Sequence, residues 1–460
     1  MKTIFRNFLV ITFAVMIISS IPGCKNPSGG NDPTVPGVVF NFTAEQGNEE
    51  VTVSWEAPLN NGGSVIVRYE VTMDDWETTI AKEPAEFSHN FTGLTNYIEY
   101  TFKARAVNAV GHGEESTATA IPVPLDGSGE GTEDSPFIVG SEASLRRIGD
   151  DWDSGSVYLL TVNITLAPPA DGESNWMPID YFYGTFDGNG NSISGIIINE
   201  PDDFNLGMFR EISYGGFVKN LTLTGINING SSNVGAVTGR NNGTVENISA
   251  SGSIAGVSTV GGLIGYNENE LLSSIFTGTV TGEQDFIGGL AGVNVYGRIE
   301  NSYSAGSVTG AWSVGGLAGQ NGALIQNCYS TSSISGEDYI GGLVGYSYGD
   351  IFNSFALSPS ITRTGEDFDT FGRVSGTNDG FMSGCFGFAD MQMPDDIDVN
   401  SDEFDKHGGD ISVGDAKSRE FWESRAYFEF DGDPWVWNTD RMPSLSGAGT
   451  AQAWPPYLNE

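Results

Sequence analysis

Acidic and aromatic residues recur at one point of a repeated sequence unit, and their side chains are the best suited in the chain to hold a ligand. Each unit starts with an apolar residue followed by glycines, and the side chains in question lie just before it. We expect a ligand-binding strip formed by Asp285, Phe286, Trp312, Asp338, Tyr339 and Asp369. Aromatic rings beside carboxylates suit sugar rings or a protein partner. Alternatively, the rings simply cover an edge of the fold.

A repeat of about 27 residues positions these side chains. The first apolar residues of the units are Leu206, Val234, Val260, Ile287, Val314, Ile340 and Phe371. Their spacings are 28, 26, 27, 27, 26 and 31 residues. Such a period is typical of a solenoid, and the hydrophobic periodicity of helices is absent. The pattern predicts a parallel β-helix with about seven recognisable coils.

Paired glycines follow the apolar residue in the best copies of the unit. In VGGLAG, Val314 and Leu317 are both apolar, yet residues three apart on a straight strand face opposite sides. We predict that Gly315 and Gly316 let the backbone bend, so that both side chains point inward. The glycines would then turn the same corner in every coil.

Two sets of polar residues recur at fixed positions in the units. The first set is Asn241, Asn267, Asn294 and Asn321, with Ser347 in the fifth copy. The second set is Asn220, Asn247, Asn301, Asn327 and Asn353, with Ser274 as the exception. Identical amides in neighbouring coils can hydrogen-bond along the axis. Both sets are therefore predicted to form ladders that need no ligand.

The repeat also predicts the state of two cysteines. Cys328 and Cys385 fall at equivalent positions two coils apart, which corresponds to about 9.6 Å at the spacing of neighbouring strands. A disulfide needs Cα atoms within roughly 7 Å. We expect two free thiols packed as small apolar residues.

Residues 37–124 have a different pattern, of short alternating strands separated by turns. They resemble the fibronectin type III family, since Leu94 and Tyr100 match its tyrosine corner and Trp55 and Tyr69 match its core aromatics. The resemblance implies a β-sandwich. No Arg-Gly-Asp is present to imply integrin-type activity, and such modules in bacterial surface proteins usually act as spacers.

The glycine-rich units resemble the GLUG motif, named for Gly-Leu-any-Gly. Strong copies occupy 261–265, 288–292, 315–319 and 341–345. This family occurs in bacterial surface proteins, including regions beside the catalytic domain of immunoglobulin A peptidases. The resemblance implies three parts, namely an entry segment at 134–205, a β-helix at 206–400 and a C-terminal cap at 401–460. The cap would cover unpaired strand edges with Trp422, Phe428, Trp435 and Trp437.

The first 24 residues resemble the signal of bacterial lipoproteins. Lys2 and Arg6 accompany an apolar run at 8–18, which is too short to span a bilayer but suits an export signal. Ile-Pro-Gly-Cys at 21–24 is similar to the lipobox, which implies lipid attachment at Cys24. The alternative is a plain secretory signal with a chance cysteine. Residues 25–36 and 125–133 are expected to be a flexible tether and a linker.

Charge narrows the choice of partner. Asp and Glu number 59 against 20 Lys and Arg, a formal net charge of -39. Such a surface repels phosphate backbones, so nucleic acid is not expected to bind. The expected partners are an extracellular glycan or a host or matrix protein, with membrane contact only through the lipid anchor.

The chain offers little for catalysis. Many parallel β-helices cleave polysaccharides, with stacked carboxylates beside a basic residue or calcium, but the basic residues of 206–400 do not stack in the repeat register. His89 and His112 lie apart and have no acidic or cysteine companion in sequence. We expect no catalytic, cofactor or metal site, and a structural calcium ion has no specific motif to support it.

These observations predict an all-β chain in which a fibronectin type III sandwich precedes a parallel β-helix with N- and C-terminal caps. The expected role is adhesion, or glycan or protein binding, by a non-catalytic lipoprotein of the bacterial cell envelope, at the outer membrane or cell surface. The alternatives are a β-helical polysaccharide lyase or hydrolase and an accessory component of a surface peptidase or uptake complex.

Overall fold

A computed structural model describes residues 32–458 except 97, 124–125, 150–154, 366–369, 396, 398, 403, 431–433 and 447–451. The contacts divide the chain into two units, residues 1–123 and 124–460. The expected signal sequence and Cys24 lie outside the described residues. Within the described part, no helix has the length and apolar character needed to cross a membrane.

The first unit is a sandwich of two antiparallel sheets. Its strands are β1 Phe40–Gly47, β2 Glu50–Glu56, β3 Ile66–Thr72, β4 Ile80–Lys82, β5 Ser88–Thr92, β6 Tyr100–Asn108 and β7 Ser116–Ala120. They form sheets of order β1-β2-β5 and β4-β3-β6-β7. Trp55 and Tyr69 are buried between the sheets with ring centroids 5.8 Å apart. The hydroxyl of Tyr100 accepts a hydrogen bond from the backbone N–H of Thr95 over 3.0 Å, as in a tyrosine corner.

One expectation for this unit is wrong. His112 does have an acidic companion, because its Nδ1 lies 3.0 Å from Oε2 of Glu70. Arg68 and Arg105 also bind this buried carboxylate. Burial raises the pKa of Glu70, but the hydrogen bonds from Arg105 and Arg68 and the charge of His112 outweigh it, and the pKa is lowered. Strand pairing between β3 and β6 creates this cluster, and sequence distance hides it.

The second unit contains most of the strands. The entry segment has β8 Phe137–Val139, α1 Glu142–Leu145, β9 Val157–Leu160, β10 Ile164–Thr165, β11 Ile179–Phe182, β12 Thr185–Asp187, β13 Ser192–Ser194 and β14 Ile197–Asn199. The repeats begin with β15 Phe209–Ile212, β16 Phe217–Asn229, β17 Ser232–Val234, β18 Thr238–Asn241, β19 Thr244–Gly256, β20 Ser258–Gly261, β21 Ile264–Asn267, β22 Glu270–Leu272, β23 Ile275–Gly282, β24 Asp285–Gly288, β25 Ala291–Asn294, β26 Arg298–Glu300 and β27 Tyr303–Thr309.

The later repeats continue the same order. They contain β28 Trp312–Gly315, β29 Ala318–Asn321, β30 Leu324–Gln326, β31 Tyr329–Ser330, β32 Ser333–Gly336, β33 Asp338–Gly341, β34 Val344–Ser347, β35 Asp350–Phe352, β36 Phe355–Ala356, β37 Ile361–Arg363, β38 Phe371–Gly372, β39 Ser375–Asn378, β40 Met382–Ser383 and β41 Phe386–Phe388. The C-terminal segment has β42 Gly409–Ile411, α2 Val413–Ala416, α3 Arg419–Ala426, β43 Trp435–Val436, β44 Ser444–Leu445 and a 3-10 helix at Pro456–Leu458.

These strands form a parallel β-solenoid of about nine turns. Its walls are sheets of 21, eight and six strands, in which neighbours come from successive coils. The seven coils recognised in the sequence were too few, because entry strands also pair in parallel with the repeats. Strand β12, for example, pairs with β9 on one side and β16 on the other, although it carries no glycine motif.

The predicted corner exists, but the glycines serve another purpose than bending. Val314 and Leu317 are both fully buried, and the corner lies between β28 and β29. Neither Gly315 nor Gly316 has a positive φ. A Cβ on Gly316 would lie 2.1 Å from the carbonyl oxygen of Gly342 and 2.4 Å from Oγ of Ser330. Glycine is needed because the next coil passes too close for any side chain.

The first polar set forms the predicted ladder inside the solenoid. Nδ2 of Asn241 donates to Oδ1 of Asn267 over 2.7 Å, and Asn267 donates to Asn294 over 2.8 Å. Asn294 donates to Asn321 over 2.8 Å, and Asn321 donates to the hydroxyl of Ser347 over 3.2 Å. All five residues are fully buried. The amides therefore satisfy one another along the axis.

The second set is not a continuous ladder. Asn247 donates to Asn220 over 2.7 Å, but Oδ1 of Asn327 is buried without a partner among the described residues. The strand register also places Ser273, rather than Ser274, opposite Asn301. What the members share is a left-handed backbone, at Asn220, Asn247, Ser273, Asn301, Asn327 and Asn353. Asparagine tolerates this conformation well, so the set marks a second corner.

The cysteine prediction is confirmed. Among the described residues, neither Cys328 nor Cys385 forms a disulfide, and both are buried. Tyr329, next to Cys328, pairs with Phe355 one coil later, and Phe355 pairs with Phe386, next to Cys385. The two cysteines are therefore two coils apart. Burial raises the pKa of the Cys328 thiol to about 12.

The C-terminal segment covers a side of the solenoid as well as adding to its end. Strand β42 pairs in parallel with β41, after the last repeat. Beyond it, the chain returns along the wall, where Trp435 donates to Asn301 over 3.2 Å and the Tyr329 hydroxyl donates to the Pro443 carbonyl over 2.7 Å. Tyr303 and Tyr329 stack at 4.5 Å beneath it. The segment was predicted only to cover the end of the solenoid, but it also covers a column of aromatic rings on the wall.

We expect Gly316→Ala to destabilise the solenoid by about 3 kcal/mol, because the added methyl group has no space against the next coil. The change is measured as a lower urea midpoint in far-ultraviolet circular dichroism. Gly414→Ala in α2 is the matched control, because outside its own helix backbone the nearest atom to the added Cβ would be Oγ of Ser412, at 3.7 Å, and alanine favours helices. Equal midpoints for Gly316→Ala and the unmodified chain would contradict steric exclusion.

Candidate ligand-binding face

The six-stranded sheet carries the predicted strip at the start of its strands. Asp285 in β24 pairs with Trp312 in β28, which pairs with Asp338 in β33. The structure therefore places these three residues in one column on successive coils. Asp369 lies outside the described residues.

Phe286 and Tyr339 occupy the next position along these strands. Both have a left-handed backbone, with φ of 64° and 55°. Bulky residues rarely adopt this conformation, but Asn233, Thr259 and Ser313 adopt it at the equivalent position of other coils. The left-handed turn is a property of the coil, and the aromatic side chains are an addition to it.

Four aromatic rings form a continuous chain across the glycine corner. The centroids of Trp312 and Tyr339 are 6.5 Å apart, those of Tyr339 and Tyr346 are 5.8 Å apart, and those of Tyr346 and Tyr348 are 5.9 Å apart. Trp312 is 42% exposed and Tyr348 is 45% exposed. Of these four rings, the predicted strip includes Trp312 and Tyr339 but not Tyr346 and Tyr348.

Further tyrosines lie on the eight-stranded sheet or just beyond its strands. We call this set the tyrosine face, and its members are Tyr181, Tyr183, Tyr214, Tyr266, Tyr296, Tyr346 and Tyr348. Strand register puts Tyr181, Tyr266 and Tyr346 in one column of that sheet. A sequence signal for the others existed, because a Tyr-Gly pair recurs at 183–184, 214–215, 296–297 and 348–349.

Hydrogen bonds and ion pairs hold the polar groups of this surface. The hydroxyl of Tyr346 donates to Oδ2 of Asp379 over 3.0 Å. This bond, with burial, raises the pKa of Tyr346 above its ordinary value of 10.0. Arg240 donates to Glu268 over 2.6 Å. The flat rings of this surface can stack on a ligand, and their hydroxyl groups can hydrogen-bond to it. The charges of Arg240 and Glu268 are already paired with each other.

Asp338 differs from the other acids of the strip because it is buried. Its Oδ1 accepts a hydrogen bond from the backbone N–H of Tyr339 over 2.9 Å. Burial nonetheless raises the pKa of Asp338 above its ordinary value of 3.8. Its carboxyl group is therefore placed to support the Tyr339 backbone rather than to contact a ligand. Among the described residues, no group of three or more His, Cys, Asp or Glu side chains is arranged to hold a metal ion.

Comparison with family models agrees with the two resemblances. The fibronectin type III domain model matches residues 35–121, and the GLUG motif matches 287–309 and 310–335. The chain therefore contains a fibronectin type III domain followed by GLUG motifs within a β-solenoid.

Relatives match parts of the chain. Halomucin of Haloquadratum walsbyi is 34% identical over 146 residues, which cover 30% of this chain and 2% of halomucin. A Gly-rich membrane protein of Evansella cellulosilytica is 36% identical over 129 residues, covering 26% of this chain and 15% of that protein. Neural cell adhesion molecule L1 of Homo sapiens is 28% identical over 143 residues, which cover 28% of this chain and 11% of that protein. The chain thus spans a small part of the length of these relatives.

A solved structure of three consecutive titin domains was also matched. The match covers 20% of this chain and 34% of the titin chain, with 20% identity and a TM-score of 0.18.

We expect Asp338→Asn to raise the stability of the solenoid near neutral pH. A raised carboxyl pKa means that the folded state favours the protonated form, so stability is lost as pH rises through that pKa. The amide keeps the Oδ1 acceptor without the buried charge. Urea midpoints measured from pH 3 to pH 8 should show the gain over the unmodified chain only in the upper part of this range.

Asp285→Asn is the matched control, since Asp285 occupies the same column two coils earlier but is only partly buried. Its substitution should leave the midpoints nearly unchanged. A gain for Asp338→Asn that is independent of pH would show that charge burial is not the cause.

Proposed function

We propose that the protein is a lipoprotein of the bacterial cell envelope that binds an extracellular glycan through aromatic rings on its solenoid. The observation that carries this proposal is the chain of contacting, partly exposed rings formed by Trp312, Tyr339, Tyr346 and Tyr348. Such rings offer apolar faces for the C–H groups of a sugar and polar edges for its hydroxyls.

The composition of the strip favours a glycan over other partners. Tyrosine hydroxyls and the partly exposed carboxylate of Asp285 suit a ligand rich in hydroxyl groups. The formal charge of -39 disfavours polyanions. A protein partner remains the alternative that the experiment below distinguishes.

A surface location is supported by two independent features. Cys24 ends a segment similar to the lipobox, and two relatives are named as a membrane protein and a cell adhesion molecule. In the sequence, the fibronectin type III domain stands between the proposed anchor and the solenoid, which is the place of a spacer. We propose adhesion or glycan capture, rather than cleavage, as the task.

We expect Trp312→Ala combined with Tyr339→Ser to weaken glycan binding by at least about tenfold, because two of the four contacting rings are lost. Serine suits position 339, since Ser313 already occupies the equivalent left-handed position. Binding of residues 25–460 is measured on a glycan and host-matrix array, followed by titration with the strongest ligand and a polysaccharide-cleavage assay.

Phe404→Ala is the matched control, because this ring is 58% exposed but belongs to the C-terminal segment. It should bind as the unmodified chain does. Undiminished binding by the double variant would refute the strip, and cleavage of any polymer would refute the non-catalytic role.

We expect Cys24→Ser to abolish acylation, because the thiol is the proposed attachment atom. In cells supplied with radiolabelled palmitate, the unmodified chain should carry label and partition into detergent, whereas the variant should carry none. Cys328→Ser is the control, since that buried thiol lies inside the solenoid. Label on the Cys24→Ser chain would rule out this anchor.

A further inference from the structure

The tyrosine face extends along the solenoid axis well beyond the four-ring strip. Tyr181 lies on β11, the first strand of the eight-stranded sheet, and Tyr346 lies on β34, the seventh. Six steps between neighbouring strands correspond to roughly 29 Å. The face is therefore long enough for a polymer rather than a single small molecule.

The most exposed members stand at intermediate positions on this path. Tyr214 is 87% exposed and Tyr296 is 89% exposed. They follow β15 and β25, which are three coils apart in the sheet order. The tyrosines therefore lie at intervals along one wall of the solenoid.

The charges on the same strands are mostly compensated within the protein. Arg240 is bound by Glu268, and Arg210 by Asp203 and Asp180. Asn242 donates to Glu211 over 3.0 Å. Both arginines are thus committed to carboxylates, and a polyanion approaching this acidic surface would gain little and meet repulsion. An uncharged polysaccharide would not be repelled by this surface and would not need an unpaired arginine to bind it.

We propose that the tyrosine face binds an extended, uncharged polysaccharide that runs parallel to the solenoid axis. This inference rests on the proposed function and specifies its ligand class and direction. Tyr181, Tyr266 and Tyr346 recur at every third strand of their column, which corresponds to intervals of roughly 14 Å. At each interval, a sugar of the polymer finds a tyrosine ring to stack on and a phenol hydroxyl for a hydrogen bond. Affinity should increase with chain length until the ligand spans the face.

The test uses residues 25–460 and native affinity electrophoresis in gels containing hydroxyethylcellulose, galactomannan, laminarin or dextran, with polygalacturonate as the polyanion. Oligosaccharides of two to eight sugars, from partial hydrolysis of the polymer that retards the protein, are then titrated calorimetrically. We expect retardation by a neutral polymer and an affinity that rises at least tenfold from the shortest to the longest oligosaccharide.

Tyr214→Ala combined with Tyr296→Ala probes the long path separately from the strip. These exposed side chains contribute little to folding, so the variant should keep the unmodified urea midpoint. It should lose roughly fivefold or more in affinity for long oligosaccharides while binding the shortest ones unchanged. Phe404→Ala should behave as the unmodified chain does with every length.

The remaining outcomes separate the axial path from the proposed function. Binding that depends on Trp312 and Tyr339 but not on chain length or on Tyr214 and Tyr296 overturns the axial path and leaves the proposed function in place. Retardation by polygalacturonate alone, or array binding to a matrix protein alone, overturns the uncharged polysaccharide. No binding to any probe overturns both proposals.

Discussion

Backbone contact between successive coils is the constraint on which the rest of the solenoid depends. Neighbouring strands are separated by only about 4.8 Å, so every residue faces its own equivalent one repeat later. At the corner after β28, this leaves no room for a Cβ on Gly316. The same closeness lets buried Asn267 hydrogen-bond to the asparagines above and below it. Glycine and asparagine recur because each is suited to contact with a copy of itself.

Stacking also turns single side chains into columns on the outside. Trp312 and Asp285 lie in one column, and Tyr346 and Tyr266 lie in another, because the repeat register brings each pair to one wall. Since the backbone needs only glycine at the corner and a left-handed residue before it, the outward positions are open to variation. The solenoid can therefore carry a long aromatic surface without changing its core.

Aromatic rings on two walls have different fates. Tyr303 and Tyr329 stack under the returning C-terminal segment, and Tyr329 donates its hydroxyl to Pro443. Trp312 and Tyr348, by contrast, remain about half exposed in the described structure. The covered rings stabilise the fold, whereas the exposed rings are the surface on which a ligand can bind. Repeat sequences alone do not distinguish these two roles, since both kinds of ring recur with similar spacing.

Local pattern was sufficient for the two folds, the position of the corner at Gly315 and Gly316, the first asparagine ladder and the separation of Cys328 from Cys385. These follow from periodicity, which is visible along the chain when successive units are compared. Local pattern did not show why the corner needs glycine, which is the close approach of the next coil. Contacts between distant segments decided the rest, including the pairing of His112 with Glu70, the return of Trp435 to Asn301 and the joining of Tyr346 to the strip. Such contacts depend on how sheets and loops close in space, which spacing along the chain does not encode.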